Sequence, residues 1–179
     1  YAPMGGGVLY GKAELLEKMD PYQGGGEMVD SVSFNKTTFN ELPFKFEAGT
    51  PNVAAILGLD TAIQYMQGIG LQNIADHEQD LLHYGTEALG SIDTVKIIGN
   101  AVEKTSIISF LIGDLHPYDA GMIIDRMGIA VRTWHHCAQP VMDWYGIPGT
   151  IRASFAFYNT KEEIDILVRA IETAISMLA

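Results

Sequence analysis

Basic residues are scarce in this sequence. Eleven lysines and arginines stand against twenty-two aspartates and glutamates, which gives a formal net charge of −11 at pH 7. This balance argues against sequence-independent electrostatic binding to nucleic acid phosphates or to anionic lipid. Uninterrupted apolar runs also stay well below the about eighteen residues that a membrane-spanning helix needs. We therefore expect neither nucleic acid nor membrane among the partners.

Cysteine is nearly absent too. Cys137 is the one cysteine of the sequence, so an internal disulfide is excluded. The N-terminal residues lack the basic segment, apolar core and cleavage site of a signal peptide. We therefore expect a reducing, cytoplasmic location. An initiator methionine is also missing, because the sequence opens with YAPMGGG, and we expect the chain to be part of a longer polypeptide.

Apolar residues, in contrast, are plentiful. They make up 47% of the 179 residues, and charged residues make up 18%. A chain of this length and composition can bury enough apolar surface to offset the entropy of ordering a core. General disorder is therefore excluded, and the length allows one domain or a domain plus a fragment of another.

The first third of the chain contains few periodic segments. We expect a strand at residues 8–10, a short helix at 12–19 and an extended, turn-rich connection with one or two strands at 29–46. Thr50 as N-cap and Pro51 as first helical residue predict a helix that runs to about Gln67. Glycines at 68 and 70 separate it from a second helix that begins near Leu71.

The remaining hundred residues alternate between strand and helix patterns. Strands are predicted at 95–98, 106–112, 129–133 and 150–158, and helices at 117–127 and 141–145. Thr160 and Glu163 form a capping box at the start of a last amphipathic helix. These patterns predict a compact α/β layer in which helices cover a small sheet.

The densest group of polar residues runs from Arg132 to Pro140, where a strand is predicted to give way to a helix. Loops of this kind often display reactive side chains. Cys137 follows two histidines and lies five residues after Arg132, and cationic neighbours favour the thiolate. Cys137 is therefore a candidate nucleophile, and the alternatives are a buried apolar thiol or a zinc ligand. Adjacent His-His-Cys is not the spacing of a closed zinc site, so we predict no metal.

Two of the four arginines lie near this loop. Arg152 interrupts an apolar strand pattern, where a guanidinium needs a carboxylate or phosphate partner. Together with Arg132 it indicates a site for an anionic small molecule, and an internal salt bridge is the alternative.

The glycine runs do not match a nucleotide-binding fingerprint. Gly5–Gly7 precedes its predicted strand, and Gly24–Gly26 before Glu27 lacks the lysine of a phosphate-binding loop. The second run predicts backbone that passes close to another segment. Gly49 and Thr50 at a predicted helix N-terminus suit an anion, although a plain N-cap explains them equally well.

Taken together, these segments resemble the C-terminal half of the group II, SUF-type cysteine desulfurases, also called selenocysteine lyases, of the class V aminotransferase superfamily. The resemblance covers essentially the whole chain. It is carried by residues 7–12 (GVLYGK), 21–28 (PYQGGGEM), 46–52 (FEAGTPN), 132–140 (RTWHHCAQP), 152–154 (RAS) and 158–160 (YNT).

The resemblance implies roles for several residues. Cys137 matches the cysteine whose thiolate attacks the sulfur of L-cysteine, which leaves a persulfide on the enzyme and releases alanine. L-selenocysteine is the alternative substrate. Arg152 matches the arginine that clamps the substrate carboxylate, and Arg132 and His136 line the same substrate pocket. Thr50 matches the threonine that reaches the phosphate of pyridoxal 5'-phosphate in the other subunit of a homodimer.

The resemblance also implies partners and a domain division. Gly25, Gly26 and Glu27 match a segment at the mouth of the partner subunit's site. A sulfur-acceptor protein of the SUF system would receive the sulfur for iron–sulfur cluster assembly. Residues 1–50 would be the end of the large cofactor domain with its last strand and crossover segment, 51–70 a linking helix, and 71–179 the C-terminal α+β small domain of fold-type I transferases.

Three departures from the family pattern matter. The lysine that bonds the cofactor would lie just before Tyr1, so we expect the chain alone to be inactive and to bind no cofactor. The histidine that stacks on the cofactor and the aspartate facing its pyridine nitrogen belong to the same missing half. Trp134 and Ala2 stand where the family has glycine, and a large indole near the nucleophile is expected to block the pocket or reposition the loop. The alternative function is a non-catalytic interaction or dimerisation domain derived from such an enzyme.

Overall fold

The computed structural model describes residues 1–178, and it divides the chain into two compact units. The first unit comprises Tyr1–Gly68, and the second begins at Ile69. Among the described residues, no helix combines the length and the apolar character needed to cross a membrane.

The first unit contains little regular structure before its long helix. Helix α1 spans Ala13–Leu16, strands β1 (Val29–Val32) and β2 (Thr37–Phe39) form an antiparallel hairpin, and a 3-10 turn covers Phe44–Phe46. Helix α2 spans Val53–Ile69. The prediction of an extended, turn-rich connection with one or two strands over 29–46 is therefore confirmed.

Two local predictions in this unit are wrong. Val8, Leu9 and Tyr10 form no strand, and their side chains are largely exposed, because within the described residues no other segment pairs with this backbone. The cap of α2 is also not Thr50, since the Asn52 side chain accepts a hydrogen bond from the backbone N–H of Ala55 at 3.2 Å. Asparagine is as good an N-cap as threonine, and the helix therefore begins after Pro51.

The second unit alternates helices and strands as predicted. Its elements are α3 (Leu71–Gly90), β3 (Val95–Ile98), β4 (Ile107–Ile112), α4 (Pro117–Arg126), β5 (Arg132–Trp134), α5 (Gln139–Tyr145), β6 (Thr150–Ser154) and α6 (Lys161–Leu178). The four strands form an antiparallel sheet in the order β3-β4-β6-β5. This order places β5, which precedes Cys137 in sequence, directly beside β6.

The core of the second unit lies between this sheet and its helices. Strand β4 alternates between buried and half-buried residues, so Ile108, Phe110 and Ile112 point into the core. Helices α3 and α4 contact the sheet, and both also contact α6. The core cluster draws on all of these elements and includes Leu81, Leu89, Ile124, Ile151, Ile164 and Ile171.

Strands β5 and β6 are shorter than the sequence predicts. The ladder between them has three residue pairs, and it starts where Arg132 lies opposite Arg152. Residues 129–131 therefore do not belong to the strand, although their composition suits one. After Ser154 the chain leaves the sheet through a turn in which Asn159 N–H donates to the Ala156 carbonyl at 2.9 Å.

The start of the last helix agrees with its sequence signature. Thr160 N–H donates to the Glu163 carboxylate at 2.9 Å, and Glu163 N–H donates to the Thr160 hydroxyl at 3.4 Å. The predicted capping box is therefore confirmed. Ile164, Leu167 and Ile171 are buried on the predicted apolar face of α6.

Candidate active site

The cysteine loop joins β5 to α5 and has an unusual backbone. Trp134, His136 and Cys137 all have positive φ angles, of 87°, 55° and 62°. Residues other than glycine rarely adopt this region, and bulky ones least of all. The turn closes where Ala138 N–H donates to the His135 carbonyl at 2.9 Å. Such clustering of unfavourable backbone conformations is typical of functional sites.

Cys137 itself is a free, exposed thiol. The alternative of a buried apolar cysteine is thereby excluded, while the reactivity of the thiol stays a prediction. The Arg132 guanidinium donates from Nη2 to Cys137 Sγ at 3.1 Å. This contact brings a fixed positive charge to the sulfur. Strand β5 thus delivers the guanidinium, and the loop folds the thiol back onto it.

His136 is held by the first residue of β6. Its Nε2 lies 2.8 Å from the Thr150 hydroxyl and 3.2 Å from the Thr150 carbonyl oxygen. Because a carbonyl only accepts, the ring donates from Nε2, and Nδ1 of the neutral ring is left as an acceptor. Burial and the neighbouring positive charge of Arg152 lower the pKa of His136 below its usual 6.5, which keeps the ring neutral.

Arg152 is the remaining residue of the candidate site, and it lies on the neighbouring strand β6. It lies directly opposite Arg132 in the β5–β6 register, and like charges in this position repel each other. Arg152 Nε and His136 Nδ1 are both buried, and neither has a hydrogen-bond partner within residues 1–178. Buried polar atoms are normally satisfied, so these two atoms indicate a polar ligand. Two arginines opposite each other in one ladder favour an anionic ligand.

Trp134 lies between the arginine and the cysteine in sequence, and its ring packs on aromatic neighbours. The indole is 46% exposed. Its centroid lies 5.2 Å from the ring of His116, 4.8 Å from that of His135 and 6.5 Å from that of Tyr118. Cys137 remains exposed beside it, and the expectation that Trp134 blocks the pocket stays a prediction.

The remaining predicted residues lie in the first unit. A side chain at Gly25 would lie 3.1 Å from Gly49 N and 3.2 Å from both Ala48 C and Cβ. Gly49 N–H donates to the Gly26 carbonyl at 2.9 Å. The prediction that this glycine run passes close to another segment is therefore confirmed at Gly25, where a Cβ would press on the backbone of Ala48 and Gly49. A contact of Gly25–Glu27 with a partner subunit stays a prediction.

Thr50 is the residue that the family resemblance assigns to a cofactor phosphate. It follows Gly49, which has a φ of +78°, and precedes the N-terminus of the 17-residue helix α2. Its side chain is exposed. A hydroxyl at the positively polarised end of a helix suits the phosphate of a cofactor.

Two contributors to the site escaped the sequence analysis. Thr150 is 1% exposed and holds His136, and His116 caps α4 by accepting from Tyr118 N–H at 3.3 Å. Thr150 follows Gly149 at the start of a strand and has no local signal of its contact, because His136 is fourteen residues away. For the zinc alternative, the described residues bring together no three His, Cys, Asp or Glu side chains that could hold a metal.

Comparison with known proteins gives a consistent picture. The family model described as aminotransferase class-V matches residues 1–167. A cysteine desulfurase of Serratia proteamaculans is 47% identical over 173 residues, which are 96% of this chain and 42% of that protein. The chain thus spans about two fifths of the length of the curated relatives that it matches.

Solved structures agree with the sequence comparison. The crystal structure of the cysteine desulfurase CsdA from Escherichia coli superimposes with a TM-score of 0.92 at 39% identity, covering 99% of this chain and 44% of that one. A cysteine desulfurase from Thermococcus onnurineus NA1 gives a TM-score of 0.87 at 37% identity, covering 94% and 42%. The predicted mixed α/β fold class is therefore confirmed.

Proposed function

This chain belongs to the aminotransferase class-V family, and from that premise we propose that it is the C-terminal half of a cysteine desulfurase of group II, the SUF type. In this proposal residues 1–50 end the large cofactor domain, residues 51–70 link the domains, and residues 71–179 are the small domain. The observation that carries the proposal is the 3.1 Å contact between Arg132 Nη2 and Cys137 Sγ, made beside a second, opposing arginine.

Cys137 is the sulfur acceptor in this proposal. A bond forms between Cys137 Sγ and the sulfur of L-cysteine while the substrate's carbon–sulfur bond breaks, and the electron pair of that bond stays with the carbon skeleton. The skeleton takes up a proton and leaves as alanine, and Cys137 carries a persulfide. The exposure of the thiol and the adjacent Arg132 guanidinium support this role.

Arg152, Arg132 and His136 bind the substrate. The free Nε of Arg152 and its planar guanidinium suit the substrate carboxylate, which accepts two parallel hydrogen bonds from such a group. Arg132 holds the thiol and adds to the positive potential. His136, kept neutral by its lowered pKa, offers the unprotonated Nδ1 as an acceptor for a polar hydrogen of the substrate.

Thr50 would hold the phosphate group of pyridoxal 5'-phosphate. When bound, this cofactor supplies the electron sink that breaking the carbon–sulfur bond needs. As the family resemblance implies, that phosphate would belong to the other subunit of a homodimer. Gly25, Gly26 and Glu27 would lie at the mouth of the partner subunit's site. The exposed hydroxyl of Thr50 and the tight packing of Gly25 on Gly49 support this arrangement.

The wider setting follows from the same assignment. A SUF-type enzyme in the cytoplasm would pass its persulfide sulfur to an acceptor protein for iron–sulfur cluster assembly, and L-selenocysteine would be an alternative substrate. The exposed position of Cys137 on a surface loop supports transfer to another protein, because the acceptor thiol must reach the persulfide.

A reconstituted enzyme tests the proposal. The chain would be fused to the N-terminal part of a cysteine desulfurase relative that carries the cofactor lysine, and alanine release from L-cysteine would be measured. We expect alanine together with a mass increase of one sulfur atom on Cys137, and neither product from the Cys137→Ser variant. Alanine release that persists in Cys137→Ser would refute the role of the thiol. The chain without the fused part is expected to be colourless and inactive.

A non-catalytic interaction or dimerisation domain is the second candidate. The large exposed apolar residues of the first unit favour it, since Val8, Tyr10 and Phe34 are 79%, 91% and 111% exposed. Exposed apolar patches mark interaction surfaces. Sedimentation of the chain alone measures association, and association without sulfur transfer in the fused enzyme would select this second function.

A further inference from the structure

The backbone of Trp134 is held in a conformation that a large side chain disfavours. Its φ of 87° lies in the region that glycine occupies freely. The residue pairs with Thr150 as the last member of β5. Gly149 packs so closely on it that a side chain there would lie 2.9 Å from both Trp134 C and O. The surrounding backbone therefore limits the directions in which the indole can point.

The indole connects the cysteine loop to helix α4. One tilted ring contact is with His135, the next residue of the loop, at 4.8 Å between ring centroids. Another is with His116, at 5.2 Å, and an edge contact with Tyr118 lies at 6.5 Å. His116 is the N-cap of α4, a ten-residue helix packed on α6. The ring thus joins a strained loop to a helix that contributes to the core.

We propose that Trp134 is a positioning residue for Cys137: its indole, packed against His116 and His135, holds the loop in the shape that keeps the thiol against Arg132. This inference deepens the proposed function and rests on it for the role of Cys137. A glycine at position 134 would accept the same backbone angles without strain, but it would leave the loop without this attachment to α4.

The geometry of the loop explains why an attachment is needed. The chain must reverse within five residues so that Cys137 returns to the guanidinium of Arg132. His136 and Cys137 both adopt left-handed conformations to do so. These conformations persist only where neighbouring contacts hold them. The bond between His136 and Thr150 holds one side of the loop, and the indole holds the other.

The test is the rate at which iodoacetamide alkylates Cys137 at a fixed pH. Because the sequence has one cysteine, the measured rate belongs to that thiol. Cys137 is already exposed, so loosening the loop removes the arginine contact without improving access. We expect Trp134→Gly to slow alkylation about tenfold, as loss of a charge-assisted contact implies. Trp134→Phe, which keeps a ring, should restore the rate to within about twofold of the wild type.

Matched variants of His116 separate positioning from stability. His116→Asn keeps an N-cap for α4 but removes the ring, whereas His116→Phe keeps a ring but removes the cap. We expect His116→Asn to slow alkylation with little change in Tm. His116→Phe should lower Tm and leave the rate near that of the wild type. If Trp134→Gly fails to fold, the His116 pair carries the test, because the loop backbone is unaltered.

Three results would overturn the proposal: unchanged alkylation in both Trp134→Gly and His116→Asn, failure of Trp134→Phe to restore the rate, or rates that simply follow Tm. The alkylation assay needs neither substrate nor cofactor. A fused enzyme that releases no alanine would therefore refute the proposed function while the alkylation rates still decide the role of Trp134.

Discussion

Gly121 of α4 faces Thr133 of β5, and replacing it by alanine should test how tightly the helix holds the strand of the cysteine loop. Gly121 is buried. A Cβ at this position would collide with the Thr133 methyl group and would lie 3.5 Å from Thr133 Cβ and 3.8 Å from its Oγ1. Since Thr133 lies between Arg132 and Trp134, any displacement acts on the strand that carries the site.

Two opposing effects set the magnitude. Alanine favours the interior of a helix over glycine by about 1 kcal/mol. Overpacking at a tight contact costs about 1–3 kcal/mol. We therefore expect Gly121→Ala to lower the free energy of unfolding by about 1 kcal/mol. Removing the colliding methyl group with Thr133→Ser should leave only the gain from helix propensity, so that Gly121→Ala becomes stabilising by up to about 1 kcal/mol in that background.

The assay is urea unfolding followed by tryptophan fluorescence. Both tryptophans, Trp134 and Trp144, lie in the second unit, so the signal reports that unit. Gly90→Ala is the matched control, because no described atom outside its own helix and chain neighbours lies within 4 Å of a Cβ there. A stabilising effect of Gly121→Ala in the wild-type background, equal to that of Gly90→Ala, would refute the assigned contact. So would an effect that is the same with and without Thr133→Ser.

Three further predictions concern pH, substrate binding and helix capping. Burial, followed by the charge of Arg152, lowers the pKa of His136 in the folded chain. As the pH falls below about 6.5, the unfolded chain therefore binds a proton at this histidine more readily than the folded chain does, and folding loses stability. Between pH 7 and pH 5 the wild type should lose more unfolding free energy in urea than His136→Asn, and equal losses would contradict this. In the fused enzyme, Arg152→Lys keeps the charge but loses the planar pair of donors, so KM for L-cysteine should rise about tenfold, whereas an unchanged KM would remove Arg152 from the carboxylate site. Thr160→Ala breaks the capping box of α6 and should lower the free energy of unfolding by about 1 kcal/mol in the same urea assay. A change near zero would mean that packing alone stabilises the start of the helix.

Many elements of the fold could be predicted because their signals are local. Strand β3 has the predicted bounds of Val95 and Ile98, and the capping box at Thr160 marks the start of α6. The apolar stripe of α3 also identifies its buried face, which includes Ile74, Leu81 and Leu89. Periodicity and capping act between residues at most a few positions apart, and for that reason a single sequence is sufficient to find them.

Other elements could not be read in this way because they depend on partners. Residues 8–10 have the composition of a strand but pair with no described segment, and a strand exists only through hydrogen bonds to a neighbour. Residues 129–131 fail for a similar reason, since the β5–β6 ladder begins only at Arg132. Composition indicates which secondary structure a segment favours, whereas hydrogen bonding to a neighbouring strand decides whether a strand forms.

The sequence alone determined the inventory of the candidate site: a single cysteine on a polar loop, two nearby arginines and a histidine beside the thiol. The tertiary structure decided how they meet. It set Arg132 opposite Arg152 through strand register, turned Cys137 back onto Arg132 through left-handed residues, and packed Trp134 on His116. These relations join residues that are five to twenty positions apart in sequence. They depend on register, backbone angles and packing against other elements, which no local pattern encodes.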